Sequence, residues 1–150
     1  MLTIDSLSLY TNTFNLNQIT LHVKEGEFHI VMGPSGCGKT SLLECIVGLR
    51  KINSGRIFLN GRDITNAPTH TRNISYVPQD VSLFPHMNVL ENILYSAKLN
   101  GEIDKIFIEE IIEQMELKKI CEKSITKISG GEKKRVGLAR ALASKPSIIL

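Results

Sequence analysis

The amino-acid sequence predicts an α/β domain with an inserted helical region, and three observations carry that prediction. A short apolar run feeds directly into a glycine-rich turn and then an amphipathic helix. Strand-like alternation fills most of the residues before that run, and from Gln79 onward apolar residues recur at helical spacing. At 150 residues and 42% hydrophobic content, the chain has the size and apolar content of one core.

Taken in order, Ile19, Leu21 and Val23 alternate with Thr20, His22 and Lys24, which predicts a strand ending at a Glu25-Gly26 turn. Phe28 to Met32 reads as a strand buried on both faces, because its apolar residues are nearly continuous. Gly33 to Thr40 is the turn, and Leu42, Leu43, Ile46 and Val47 then share one face of a helix that should stop at Gly48. Two more strands are expected at residues 55–61 and 73–78, with Pro68 in the loop between them. Asn88 and Glu91 have capping-box spacing ahead of a helix carrying Val89, Leu90, Ile93, Leu94 and Ala97. Ile108, Ile111, Ile112 and Met115 mark a second helix by their i, i+3, i+4, i+7 spacing. A third should start at Gly130-Gly131 and run to about Ser144, before Pro146 and the strand-like Ile148-Ile149-Leu150. The expected organisation is a core over 1–79, a helical subdomain over about 80–128, and a final helix with the start of a strand over 129–150.

Composition excludes some functions. No stretch reaches the roughly 20 apolar residues of a membrane-spanning helix, and the first residues lack the basic start and apolar run of a signal peptide, so a cytoplasmic location is expected. Cys37, Cys45 and Cys121 are an odd set without metal-ligand spacing and are read as reduced and unligated. The net charge of +3 is segregated: residues 102–116 hold six acids and one lysine, whereas 118–145 hold nine basic residues and two acids. No Phe, Tyr or Trp falls between 108 and 150, so the basic stretch lacks the stacking platform of a nucleic-acid binder, and no nucleic-acid partner is expected.

The chemistry lies in Gly33-Pro34-Ser35-Gly36-Cys37-Gly38-Lys39-Thr40-Ser41, the P-loop pattern G-x-x-x-x-G-K-[ST] between a predicted strand and a predicted helix. Glycines let the backbone turn its N–H groups inward, and the helix adds the positive end of its dipole. Lys39 would reach the β and γ phosphates of a nucleoside triphosphate, and the Thr40 hydroxyl would ligate its Mg²⁺. Cys37 has no neighbouring base and reads as a small filler.

Two further segments narrow the class. Ile128-Ser129-Gly130-Gly131-Glu132, continuing as KKRVGLARAL, resembles the LSGGQ signature of ATP-binding cassette (ABC) proteins, with Ile for Leu and Glu for Gln. Tyr76-Val77-Pro78-Gln79, followed by SLFPHMNVLENI, resembles the Q-loop of the same family. The resemblance covers essentially the whole chain and is nearest to ATP-binding subunits of bacterial importers. It implies a P-loop NTPase fold of the ABC type and an ATPase using ATP and Mg²⁺. Gln79 would touch Mg²⁺ or the attacking water, and Ser129, Gly130, Gly131 and Glu132 would face the γ-phosphate of a partner subunit. Tyr10, 23 residues before Gly33, would stack on adenine, with Phe14 close enough to compete. The partners implied are a second ABC subunit in a homodimer or paired dimer, a separate transmembrane permease, and a solute-binding protein, at the inner face of the cell membrane.

In the family, an apolar strand after the signature helix ends in the Walker B Asp and the catalytic Glu, which would fall just beyond Leu150. The expectation is therefore a C-terminally incomplete domain that binds ATP without turning it over, because phosphoryl transfer depends on positioned charge. A sheet lacking a strand should also have a gap beside the P-loop strand. Two other readings remain open: a non-hydrolysing nucleotide-binding or interaction module, and a soluble ABC ATPase acting on nucleic acid or ribosomes.

Overall fold

The computed structural model describes residues 1–99, 101 and 103–150, and these fall into two compact units, Met1–Arg72 and Asn73–Leu150.

The first unit is built on a four-stranded antiparallel sheet of order β2-β1-β3-β4, from β1 (Leu2–Tyr10), β2 (Asn15–Val23), β3 (Ser54–Leu59) and β4 (Arg62–Asp63). In β1, Ile4 sits opposite Leu21 of β2 and Ile57 of β3, so one face of the central strand gathers apolar partners from both sides. Leu2, Ile4, Leu7, Leu9, Ile57 and Leu59 are buried accordingly. Between β2 and β3 runs helix α1 (Lys39–Val47), which buries Leu42, Cys45, Ile46 and Val47 and stops at Gly48, whose φ of 90° only glycine adopts readily. Gly55 is also fixed in place: at φ 96°, a Cβ there would lie 2.6 Å from the backbone of Ser6 and Leu7.

Two expectations for this unit need correction. The predicted 55–61 strand ends at Leu59, and Asn60-Gly61, at φ 50° and 79°, form the two-residue turn into β4, as an Asn-Gly pair favours. Phe28 to Met32 forms no strand, and Phe28 and Met32 are 88% and 85% exposed. A strand buried on both faces needs neighbours that pair its N–H and C=O groups. Among the described residues none does so, because the sheet has β2 and β4 as its edges.

The second unit pairs β5 (Ile74–Ser75) in parallel with β6 (Ile148–Ile149), and bonds from Ser147 N to Asn73 O, Leu150 N to Ser75 O and Val77 N to Leu150 O extend the ladder. The predicted 73–78 strand is thus shorter than expected as a regular element, while its pairing reaches Val77. Helices α2 (Val89–Leu99), α3 (Lys105–Gln114) and α4 (Gly130–Ala143) enclose a core that includes Val89, Ile93, Ile108, Ile111, Leu117 and Val136. The capping box read from Asn88 and Glu91 is present, with reciprocal bonds of 2.8 Å. Gly137 of α4 admits Val81, whose Cγ1 would lie 2.4 Å from any Cβ there.

Asn92 is the polar centre of this unit. It is fully buried on α2; its Oδ1 accepts from Phe84 N at 2.8 Å, and its Nδ2 donates to the carbonyls of Phe84, Met87 and Asn88. One side chain therefore satisfies the backbone of the loop that leads from Gln79 into α2. Asn92→Ala should cost about 2–4 kcal/mol in urea unfolding, because it leaves several buried polar groups unpaired. Amide exchange should accelerate first at residues 84–88.

Candidate nucleotide site

The P-loop is held by local geometry. Gly36 and Gly38 have φ of 81° and 96°, and Cys37 N donates to Pro34 O at 3.4 Å. Gly38 is also sterically obligatory, since a Cβ would lie 2.8 Å from the Phe14 ring and 2.9 Å from Leu16. A Cβ on Gly33 would lie 2.9 Å from the sulfur of Cys37, which is itself exposed.

Helix α1 starts at Lys39 with Gly38 as its N-cap; no side chain caps it and no acid occupies its first turn. The first N–H groups and the positive dipole end are therefore left for an exogenous anion. Lys39 folds back over the loop, donating to Gly33 O at 2.8 Å and Pro34 O at 2.7 Å, with the Cys37 sulfur 3.8 Å away. Its ammonium is thus already at the mouth of the turn. Thr40 is exposed beside it, while Ser41 is buried.

Of the two aromatics, Phe14 packs on the P-loop at Gly38 and is half-buried, whereas Tyr10, at the end of β1, is 57% exposed. Asn53 Oδ1 accepts from Tyr10 N at 2.8 Å and fixes the backbone that carries the free ring.

In the second unit, Gln79 lies exposed two residues beyond the last ladder bond of β5. Ser129 is the N-cap of α4 in a full capping box: its Oγ accepts from Glu132 N at 3.2 Å, and Glu132 Oε2 accepts from Ser129 N at 2.6 Å. Hydrogen bonds to the carboxyl from the Ser129 backbone N–H and then from its side chain, with smaller help from the charges of Lys123 and Arg135, hold Glu132 below the usual carboxylate range. Gly130 and Gly131 are exposed, and nothing lies within 4 Å of a Cβ built on either.

The structure also reveals two residues that sequence reasoning missed, Asn92 and Arg72. Asn92 falls on the same α2 face as Val89 and Ile93, so a polar residue inside an apolar stripe was the available signal. Arg72 is 5% exposed and donates to the carbonyls of Cys45 and Ile46 in the last turn of α1, and to Thr65 and Ala67 in the loop before it. It had no local pattern to announce it.

Comparison with known proteins fits this arrangement. A family model described as ABC transporter matches residues 16–150. The molybdate/tungstate import ATP-binding protein of Methanocaldococcus jannaschii is 44% identical over an alignment that takes in all of this chain and 51% of that protein. The spermidine/putrescine import ATP-binding protein of Haemophilus influenzae is 38% identical, over 94% of this chain and 39% of that protein. Among solved structures, a dimeric ATP-binding cassette in a post-hydrolysis state, bound to ADP and Pi, superposes with a TM-score of 0.84 at 28% identity, covering 99% of this chain and 72% of that one. A glycine-rich turn leading into the uncapped helix α1, on a fold that superposes on a solved ATP-binding cassette, defines a P-loop NTPase of the cassette class. The chain belongs to the ABC transporter family. It spans about half the length of its nearer curated relatives.

Proposed function

We propose that this chain is the nucleotide-binding part of the ATPase subunit of an ABC importer. The observation that carries this reading is the uncapped N-terminus of α1, with the Lys39 ammonium held 2.7–2.8 Å from two P-loop carbonyls. Residues Gly33 to Ser41 cradle the phosphates of ATP, and Lys39 exchanges its carbonyl partners for β- and γ-phosphate oxygens, where it offsets the charge of the transferring group. Tyr10, exposed and backbone-anchored, supplies the stacking face for adenine. Thr40 offers one hydroxyl to Mg²⁺. That suits an ion which takes few protein ligands and fills its shell with phosphate oxygens and water, and the described residues hold no cluster of three or more His, Cys, Asp or Glu. By its resemblance to the Q-loop, Gln79 is assigned to Mg²⁺ or the attacking water, and by the signature resemblance Ser129, Gly130 and Gly131 are assigned to the nucleotide of a paired subunit.

Among the described residues no helix is long and apolar enough to cross a membrane. The relatives named as import ATP-binding proteins support a separate permease as the translocation path, with the cassette docked at its cytoplasmic face. The two relatives are named for import of molybdate or tungstate and of spermidine or putrescine, which supports the import reading. Titration with a fluorescent ATP analogue and Mg²⁺ should give saturable binding that unlabelled ATP competes away, and the native protein should co-purify with a membrane permease. Soluble, monodisperse protein with no saturable binding would refute the assignment.

A further inference from the structure

We propose that the groove lined by α2 and α3 is a docking site for a cationic amphipathic helix of a partner protein. The groove has a volume of about 640 Å³ and an apolar floor, to which Leu90 and Leu94 of α2 and Ile108 and Ile112 of α3 contribute. Glu109 and Glu113 of α3, both exposed, line it as well. Each of these three pairs is spaced i, i+4, so apolar and acidic side chains recur at one helical turn along the groove. A partner helix meets that repeat with its own i, i+4 anchors, whereas an extended strand, with its period of two, does not. None of the lining residues belongs to the P-loop, to 76–79 or to 128–132, so the site is independent of the nucleotide reading.

Charge decides the occupant. Among the described residues, the ion pairs are His29 with Glu27, Arg50 with Glu44 and Lys145 with Asp104, so Glu109 and Glu113 are in none. Glu110 of α3 and Glu116 just after it are also exposed, and Lys105 is the one basic residue of that helix. Lys105 and Lys118 do line the groove, but they stand at the first residue of α3 and in the 3-10 turn that follows it. They bound the carboxylate row at its two ends. Between them the wall is acidic and favours lysine or arginine on the partner. The frame is preformed, since Leu90 N donates to Cys121 O at 3.0 Å and Val89 N to Lys123 O at 3.1 Å, tying the segment after α3 to the start of α2. Docking there costs little ordering of this chain.

The test uses two synthetic helical peptides with the same leucine pattern, one with lysine and one with glutamate at the flanking positions, titrated into the full chain carrying labelled isoleucine methyls. The lysine peptide should shift Ile108 and Ile112 and leave Ile4 and Ile57, buried in the first unit, in place. It should bind about tenfold more tightly than the glutamate peptide, as two exposed ion pairs in place of two repulsions warrant. In Glu109→Lys/Glu113→Lys the preference should reverse, and that gain of binding to the glutamate peptide is one that misfolding cannot produce. Equal affinity of the natural chain for both peptides would overturn the cationic partner. Shifts at Ile108 and Ile112 that follow protein concentration without peptide would overturn it too, by assigning the groove to a second copy of this chain. No shift at either methyl, or shifts that spread to Ile4 and Ile57, would overturn the docking site itself.

Discussion

Lys39→Ala is expected to weaken ATP binding about 10- to 100-fold while leaving the fold intact. The side chain contributes no packing: its contacts are the carbonyls of Gly33 and Pro34 and the Cys37 sulfur, all within an exposed loop. Its removal from the free protein therefore leaves groups that water can satisfy, and the unfolding midpoint should move by no more than about 1 °C. In the nucleotide complex the balance differs, because a hydrogen bond from a charged donor to phosphate contributes about 1.5–3 kcal/mol, which converts to the stated loss in affinity. Lys39→Arg should not restore binding, since a planar fork cannot follow the path of a flexible ammonium into a turn whose Gly38 is pressed against Phe14. Isothermal titration of the folded variants with Mg-ATP measures this. Unchanged affinity in Lys39→Ala would remove the P-loop from the proposed site.

How far the sequence could be read depended on whether the deciding physics was local. The end of α1 at Gly48, the Asn88–Glu91 capping box, the α3 stripe of Ile108, Ile111 and Ile112, and the start of α4 at Gly130 are set by side chains within a few residues of each other. All of them were legible. The P-loop was legible for the same reason, since its glycines, lysine and helix start are contiguous. Strand pairing is not local. Phe28 to Met32 has the composition of a central strand, but whether it becomes one depends on partners elsewhere, and the described sheet closes on β2 and β4 without it. Asn92 and Arg72 were missed because their acceptors are backbone carbonyls, which the sequence does not label, and for Arg72 those of α1 lie 26 and 27 positions away.

Arg72→Ala should have the largest effect on stability. The guanidinium is 5% exposed and meets no carboxylate; its charge is held by four carbonyls, two of them at the C-terminal end of α1, where the helix dipole is negative. Burial lowers its pKa from the usual guanidinium value, and it remains a cation. Truncation leaves the buried Ile46 carbonyl without the guanidinium, strips Cys45 O of all but its bond from Gly48 N, and removes the donor from the partly buried Thr65 and Ala67 carbonyls. A loss of about 3–5 kcal/mol is expected in urea unfolding, a large share of the 5–15 kcal/mol that holds a typical domain together. Arg72→Lys should recover only part of that, because one ammonium cannot reach acceptors spread over both edges of a fork. Gly48→Ala should mimic the loss from the other side, since its Cβ would lie 2.5 Å from Arg72 Nε at a backbone φ of 90°. Because α1 carries the P-loop at its opposite end, Arg72→Ala should also bind ATP more weakly, and this defect should shrink on cooling as the folded population recovers. The Lys39→Ala defect has no folding component and should not respond in that way. If Arg72→Ala unfolded at the same urea concentration as the natural chain, the anchoring of α1 by its carbonyl cluster would be disproved.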